Sequence, residues 1–466
     1  MNERHARRAE RIYRVPAHVR DEPDACCMGV LNMANICVIG TGYVGLVSGA
    51  CLADFGNRVI CMDIDADRIE NIRTGIMPIY EPGLKDLVAR NHDAGRLVFT
   101  TDLAAAVRDS LVIFSAVGTP MQKDGSADLS AVFEVAVDVA RYMDGYRVIV
   151  QKSTVPVGTS ERVGEIIEQN LEREMPFDRV SNPEFLREGS AIEDFMRPNR
   201  VVIGVESDRA REIMREIYRP LYLLETPVVF TSIRTAELIK YASNAFLATK
   251  ISFINEMADL CEKVGADVGD VAKAMGLDNR IGSKFLHAGV GFGGSCLPKD
   301  ISAILHTAKE HDVPLRIIDA ARTVNDLRIE VLAAKLRAEL PELEKKRVAV
   351  LGLSFKPNTD DLREAPSLRL IELLRGEGAM VNVYDPIAMD NAKELYNLDV
   401  HFCDDSYVAV EGADALVIMT EWNEFRVLDL ERIKQLLSEP VVIDCRNIYK
   451  PAMMRDMGFR YHSFGR

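Results

Sequence analysis

Apolar positions along this chain recur in two rhythms. Short β-branched runs end in glycine or a polar residue, and stretches with helical spacing follow them. Asn35-Ile-Cys-Val-Ile-Gly40 predicts a buried strand, residues 43–56 a helix, and Arg58-Val-Ile-Cys-Met-Asp63 a second strand. Further strands are predicted at Leu111–Ala116, Arg147–Gln151 and Val201–Val205, with helical stretches between. Strand and helix in alternation predict a parallel sheet covered on both faces.

The rhythm changes near Arg234. Ala236, Leu238, Ile239, Ala242, Ala245, Phe246, Ile251, Phe253, Ile254, Met257 and Leu260 fall at helical spacing, and neither Pro nor Gly occurs before Gly265. One long helix is predicted over 234–264, with helical signals again at Val268–Met275 and Ile301–Glu310 and a long helical stretch over 315–340 that Pro341 closes. Lys346–Leu351 then restarts the strand pattern, repeated at Met380–Tyr384, Ala415–Thr420 and Val441–Asp444. The expected layout is α/β, all-helical, then α/β, with boundaries at 33–233, 234–340 and 341–466; at 466 residues, about three domains fit. Residues 1–32 are expected to be a disordered extension, or translation from an upstream start with Met33 as the working start. Arg4, Arg7, Arg8, Arg11, Arg14 and Arg20 stand there against Glu3, Glu10, Asp21, Glu22 and Asp24, without the continuous apolar stretch of a signal peptide.

Composition narrows the partners. The formal net charge is −14, which disfavours broad binding to nucleic acid or anionic membranes, and no run of 18 apolar residues predicts a membrane span. The nine Cys are odd in number, contain no CxxC and do not cluster with the eight His. That usage implies a reducing compartment, the cytoplasm, and no metal site.

Two segments carry chemistry. Gly40-Thr-Gly42-Tyr43-Val44-Gly45 is G-x-G-x-x-G between a predicted strand and helix, and the next strand ends in Asp63. In that context the segment predicts a Rossmann-type dinucleotide site: Gly40 makes the turn, Gly42 admits a pyrophosphate, Gly45 lets helix and strand pack, and Asp63 binds ribose hydroxyls and selects NAD over NADP. The second α/β unit lacks the second and third glycines after Gly352. It offers Lys356 and Arg363, either ligands for a different phosphate or plain surface charges. The other segment, Gly291-Phe-Gly-Gly-Ser-Cys296-Leu-Pro-Lys299-Asp300, sets a thiol at a predicted helix start, where the thiolate is stabilised. Asp300 faces the same side if the helix has begun. Lys240 and Asn244, four apart, share one face of the long helix; Lys240 is there either a catalytic cation or a side chain that snorkels to water.

Taken together these motifs resemble the UDP-glucose/GDP-mannose dehydrogenase family. The resemblance runs from about Ile36 to about Phe464 and includes Ile79–Leu84, Gly118–Pro120, Lys152-Ser-Thr-Val-Pro156, Asn182-Pro-Glu-Phe-Leu-Arg-Glu188, Lys240–Asn244, Gly291–Asp300, Asp360–Arg363 and Asp444-Cys445-Arg446. It implies NAD-dependent four-electron oxidation of a nucleotide sugar through a Cys296 thiohemiacetal and thioester, a helical dimer core, and a C-terminal Rossmann-like unit that holds the nucleotide. By the same resemblance Lys240 and Asn244 hold the C6 oxygen, Asp300 and Thr154 position a proton-relaying water, Glu188 touches both sugar and cofactor, and Glu184 serves thioester hydrolysis. The base of the first oxidation stays open. Arg68, Thr119, Thr154, Lys299 and Arg363 are expected on NAD. Glu184, Phe185, Leu186, Arg187, Phe285, Leu286, His287, Ala288, Gly289, Gly293, Lys356 and Arg446 are expected on the UDP-sugar, and Arg280 on a sugar held by the partner subunit. The segment from Arg280 to Phe292 resembles the UDP-glucose branch. UDP-N-acetylmannosamine or GDP-mannose are the rival sugars, and a two-electron hydroxy-acid dehydrogenase or an NAD-binding scaffold the rival classes. Cys445 departs from the family, which usually has glycine there, and is expected to crowd its turn.

Overall fold

A computed structural model describes residues 34–466; the extension expected at 1–32 and the start at Met33 lie outside the described residues. Eight strands form the first sheet: β1 (Asn35–Ile39), β2 (Arg58–Met62), β3 (Leu97–Thr100), β4 (Val112–Ser115), β5 (Arg147–Gln151), β6 (Phe177–Ser181), β7 (Val201–Val205) and β8 (Val228–Thr231), in spatial order 3-2-1-4-5-6-7-8. Every residue of β4, β5 and β7 is buried, as expected of strands covered on both faces. The pattern did not reveal β3, β6 or β8. The first and last have four residues each, and β6 carries Asp178 and Arg179 in its middle.

The alternation predicts a parallel sheet, and the structure departs from it at one strand. β7 runs antiparallel to β6, with Ser181 opposite Gly204. A parallel crossover must carry the chain back across the sheet. The link 182–200 holds one six-residue helix, Ala191–Met196, and stays at the carboxyl edge instead. Glu184 and Glu188 therefore remain at that edge, beside the glycine turn after β1.

The long helix spans Ile233–Val264. Ser232 accepts from the Thr235 N–H at its start, and Gly265, at φ 73°, ends it. The stretch predicted as one helix over 315–340 is two, Arg316–Asp326 and Arg328–Glu339, interrupted at Leu327. Across this break Asn325 and Arg328 grip one loop. Asn325 bonds both backbone groups of Phe292, at 2.8 and 3.1 Å, and Arg328 Nε donates to the Gly289 carbonyl at 3.1 Å. The helix start predicted at Cys296 and the helical signal over Ile301–Glu310 belong to one helix, Leu297–Glu310, with Pro298 in its first turn.

The second sheet joins β9 (Arg347–Leu351), β10 (Met380–Tyr384), β11 (His401–Phe402), β12 (Ala415–Ile418), β13 (Val441–Asp444) and β14 (Arg460–His462), all parallel, in order 11-10-9-12-13-14. The order repeats the first six strands of the first sheet. Cys445 does not crowd its turn. Its side chain lies in the apolar core with Val290, Leu353 and Phe464, and its N–H continues the strand bonding at 3.0 Å from the Ile418 carbonyl. The glycine at this contact stands opposite: a Cβ on Gly289 would overlap the Cys445 carbonyl. Among the described residues no helix is long and apolar enough to cross a membrane.

Candidate active site

The turn after β1 is built as its three glycines imply. Gly40 has φ 97°, and a Cβ on Gly45 would overlap the Gly40 carbonyl. A Cβ on Gly42 would meet nothing within 4 Å, so the space above the turn is open. The helix Tyr43–Asp54 starts there with no side-chain cap and no acid in its first turn, which leaves N–H groups free for an anion. Asp63 stands at the end of β2. Its Oδ2 accepts from Thr41 N–H at 2.7 Å and Thr41 Oγ1 at 2.8 Å, and Arg68 lies 3.2 Å away. Burial disfavours its charge, but these bonds and Arg68 outweigh burial and hold the carboxyl below its usual range. The site fits a dinucleotide with free ribose hydroxyls. Thr119 Oγ1 donates to the Thr154 carbonyl at 3.0 Å, joining the loops after β4 and β5 on the same edge.

The carboxyl-edge loop 182–190 faces the long helix. Lys240 Nζ donates to Glu184 Oε1 at 2.9 Å, and Glu184 Oε2 accepts from the Leu186 N–H. Burial opposes both charges. Glu184 nevertheless stays below the usual carboxyl range because Lys240 is beside it, and Lys240 stays above the usual lysine range because of Glu184, Asp300 and Cys296. The alternative that Lys240 snorkels to water is thus excluded. One turn on, Asn244 Nδ2 donates to Asp300 Oδ2 at 2.6 Å. Lys299 places its ammonium 2.6 Å from Asp300 Oδ1. Phe185 lies against the Arg200 guanidinium, 3.6 Å from the ring centroid, and Arg187 pairs with Asp194.

Cys296 is the residue before the helix Leu297–Glu310, but its thiolate is not stabilised as that position predicts. Burial pushes the thiol up, with Glu184 and Asp300 adding to it against Lys240. A loop of the second unit, residues 355–364, closes on this centre. A Cβ on Gly294 would lie 2.7 Å from the Phe355 ring, and the Gly294 N–H donates to the Arg363 carbonyl at 2.9 Å. Glu188 receives Ser295 Oγ at 2.9 Å and Thr359 Oγ1 at 3.3 Å, with Arg363 at 3.6 Å. Its carboxyl is pushed up to about 7, first by burial and then by Asp361. Lys356 is held below the usual lysine range by burial, while Glu188 and Cys296 pull it back up. Lys356 is thus not an incidental surface charge, whereas the Arg363 side chain is 60% exposed and pairs with Asp361 at 2.7 Å.

The Phe285–Gly289 segment runs from strained backbone into the core. Phe285 has φ 66°, unusual for an aromatic residue; Leu286, Ala288 and Gly289 are buried and His287 is exposed. Arg446 donates to the Met419 and Phe355 carbonyls at 2.7 and 3.1 Å, close beside Gly289. Gly293 abuts the Glu364 carbonyl. Arg280 is not gathered into the site: it is 90% exposed and paired with Asp278.

Three further residues lie in motifs of the resemblance but carry no role that the sequence assigns. Glu81 accepts from Tyr43 Oη, the Gly189 N–H at 2.6 Å and the Ala191 N–H at 2.8 Å, fastening the dinucleotide turn to the Glu188 loop. Lys152 is buried beside Asn182 Oδ1 at 3.2 Å, and Ser295 touches Glu188. Glu237, a turn before Lys240, caps the helix Thr159–Asn170 through Gly158 and Ser160. An acid one turn before a buried lysine was its signal. The second unit has no open counterpart of the first turn. Asp385, matching Asp63, accepts from Leu353 N–H, Ser354 N–H, Ser354 Oγ and Trp422 Nε1 at 2.8–3.1 Å.

Comparison with known proteins bears on all three parts of the chain. Models of the UDP-glucose/GDP-mannose dehydrogenase family match residues 34–222 as the NAD binding domain, 234–327 as the central domain and 349–451 as the UDP binding domain. A UDP-glucose 6-dehydrogenase of Rhizobium meliloti is 54% identical over 93% of this chain and 99% of its own length, and UDP-glucose 6-dehydrogenase TuaD of Bacillus subtilis is 49% identical over 93% and 94%. The solved UDP-glucose dehydrogenase of Pyrobaculum islandicum superposes with a TM-score of 0.87 at 38% identity, covering 92% of this chain and 97% of that one. A UDP-D-ManNAc dehydrogenase of Pyrococcus horikoshii superposes with a TM-score of 0.82 at 30% identity, over 93% and 99%.

Proposed function

The chain belongs to the UDP-glucose/GDP-mannose dehydrogenase family, and from that premise we propose that it oxidises the C6 alcohol of UDP-glucose to the carboxylate, with two NAD reduced, through a covalent Cys296 adduct. The observation that carries the chemistry is the convergence on one thiol of a buried lysine and two carboxylates, Lys240, Glu184 and Asp300, with the Asn244 amide bonded to Asp300. The choice of UDP-glucose is supported by relatives of that activity at 54% and 49% identity.

Bound NAD supplies the hydride acceptor for each oxidation; Gly40, Gly42, Tyr43, Val44, Gly45 and Asp63 would hold it, with Arg68, Thr119 and Arg363 near by. The chain's own groups do the rest. Lys240 and Asn244 steady the C6 oxygen, where negative charge develops. Cys296 adds to the aldehyde and keeps it from leaving. Oxidation of the thiohemiacetal gives a thioester, water adds to it with Glu184 as base, and the C–S bond breaks. The balance is one alcohol, two NAD and one water to one carboxylate, two NADH and three protons. Lys356 and Arg446, with Phe285–Gly289, would hold the nucleotide.

A second copy of the chain is the proposed partner. Phe246, Phe253 and Leu260 stand seven apart on the long helix and are 66%, 41% and 53% exposed, an apolar stripe suited to self-association. Arg280, remote from its own site, would then reach the site of the other copy. Phe246→Glu is expected to give monomers by light scattering.

The deciding measurement is NADH formed per UDP-glucose consumed, beside Cys296→Ser. Two NADH in the native enzyme and a stall in the variant are expected. Two NADH only with another nucleotide sugar moves the specificity, and one NADH indifferent to the mutation overturns the thioester.

A further inference from the structure

Ser295 is the single hydrogen-bond partner of the Cys296 sulfur among the described residues. Its Oγ lies 3.5 Å from Sγ and donates to Glu188 Oε1 at 2.9 Å. Serine, sulfur and carboxylate thus form a continuous line. From the second unit's loop, Thr359 Oγ1 donates to the other Glu188 oxygen at 3.3 Å, and the Phe355 ring packs against Gly294, the residue before Ser295.

We propose that Ser295 is a catalytic residue that carries the Cys296 proton to Glu188 when the thiol adds to the aldehyde, and returns it when the thioester is hydrolysed. The proposal rests on the thioester mechanism above. In the outward direction Sγ–H passes to Oγ as Oγ–H passes to Oε1. The sulfur lone pair forms the C6–S bond, the C6=O π pair moves onto oxygen, and that oxygen takes a proton from the Lys240 ammonium. Oxidation of the thiohemiacetal restores the Lys240 proton. In the return direction the C–S bond breaks with its pair on sulfur, sulfur takes the Oγ proton, and Glu188 refills Oγ. The relay itself transfers no electrons.

The surroundings suit both ends. The thiol sits above its ordinary range, pushed there by burial and by Glu184 and Asp300 against Lys240, so it needs an acceptor. Glu188 is pushed up to about 7 by burial and Asp361, against Arg363, Ser295 and Lys356, so it exchanges a proton readily in both directions.

Alkylation of Cys296 by iodoacetamide, in the full chain without sugar, tests the relay. The native rate is expected to rise through about pH 7 as Glu188 ionises. Ser295→Ala and Glu188→Gln are expected to lose that rise, slowing alkylation at pH 7.5 about 10-fold or more, while Ser295→Thr keeps it. With UDP-glucose, Ser295→Ala is expected to lower kcat by a similar factor and leave KM within about threefold. An unchanged alkylation profile in folded Ser295→Ala overturns the proposal. Native enzyme that shows the relay profile but forms no NADH from any nucleotide sugar overturns the oxidation instead, so the two failures are distinct.

Discussion

Lys240 Nζ and Glu184 Oε1 form an ion pair of 2.9 Å in which 4% and 5% of the two side chains are exposed. Such a pair contributes little net stability while intact, but breaking one half leaves a buried charge alone. Lys240→Met is expected to lose about 3–5 kcal/mol in denaturant unfolding and at least about 100-fold in kcat. The double variant Glu184→Gln/Lys240→Met is expected to regain most of the stability and none of the turnover. If the double variant is as unstable as the single one, the lost charge balance is not the cause.

Lys152 makes the opposite prediction. Burial brings its ammonium down from 10.5 to about 8. Below pH 8 the folded state must keep a buried charge that the unfolded state holds in water. Between 8 and 10.5 the folded state gives up its proton first, so stability rises with pH there. Lys152→Met is therefore expected to be more stable than the native chain by about 2–3 kcal/mol at pH 7, with the gap closing toward pH 10.5. Denaturation midpoints at pH 7 and 10 check this, and a less stable variant at pH 7 refutes it.

Gly42 and Gly45 are expected to separate binding from folding. A Cβ on Gly42 meets open space, so Gly42→Ala is expected to keep its melting temperature and weaken NAD binding about 10-fold or more, because the methyl takes room the pyrophosphate needs. A Cβ on Gly45 overlaps the Gly40 carbonyl, so Gly45→Ala is expected to cost about 1–3 kcal/mol. Calorimetry of NAD binding and thermal melts read the two effects.

Asp63 and Arg68 lie 3.2 Å apart at the mouth of that turn. Asp63→Ser removes the carboxylate that repels a 2′-phosphate and leaves Arg68 to face it. The ratio of kcat/KM for NAD over NADP is expected to fall about 10-fold or more. An unchanged ratio would show that discrimination lies elsewhere.

Much of the fold could be read from residue order, because G-x-G-x-x-G after β1, the proline-free run 234–264 and the second strand series are local patterns with local causes. The strands missed were short or charged, and such strands form because neighbours complete their hydrogen bonds; β3 and β8 take theirs from the strands beside them. The reversal at β7 was equally hidden, since strand direction depends on where a link runs in space.

Residue identity alone supplies the chemistry: the thiol of Cys296, the carboxylates of Glu184, Glu188 and Asp300, and the cation of Lys240. Tertiary structure decided their protonation and their partners. Cys296 is raised rather than lowered because it is buried among carboxylates, a balance that no position at a helix start could forecast. Glu188 meets Ser295 and Thr359 across 107 and 171 residues of chain, and Glu81 reaches Gly189 across 108. Local pattern encodes elements because their hydrogen bonds and side-chain faces repeat along the chain. A site assembled from several loops and two helices has no such period, and only packing brings its charges to within a few ångströms of one another.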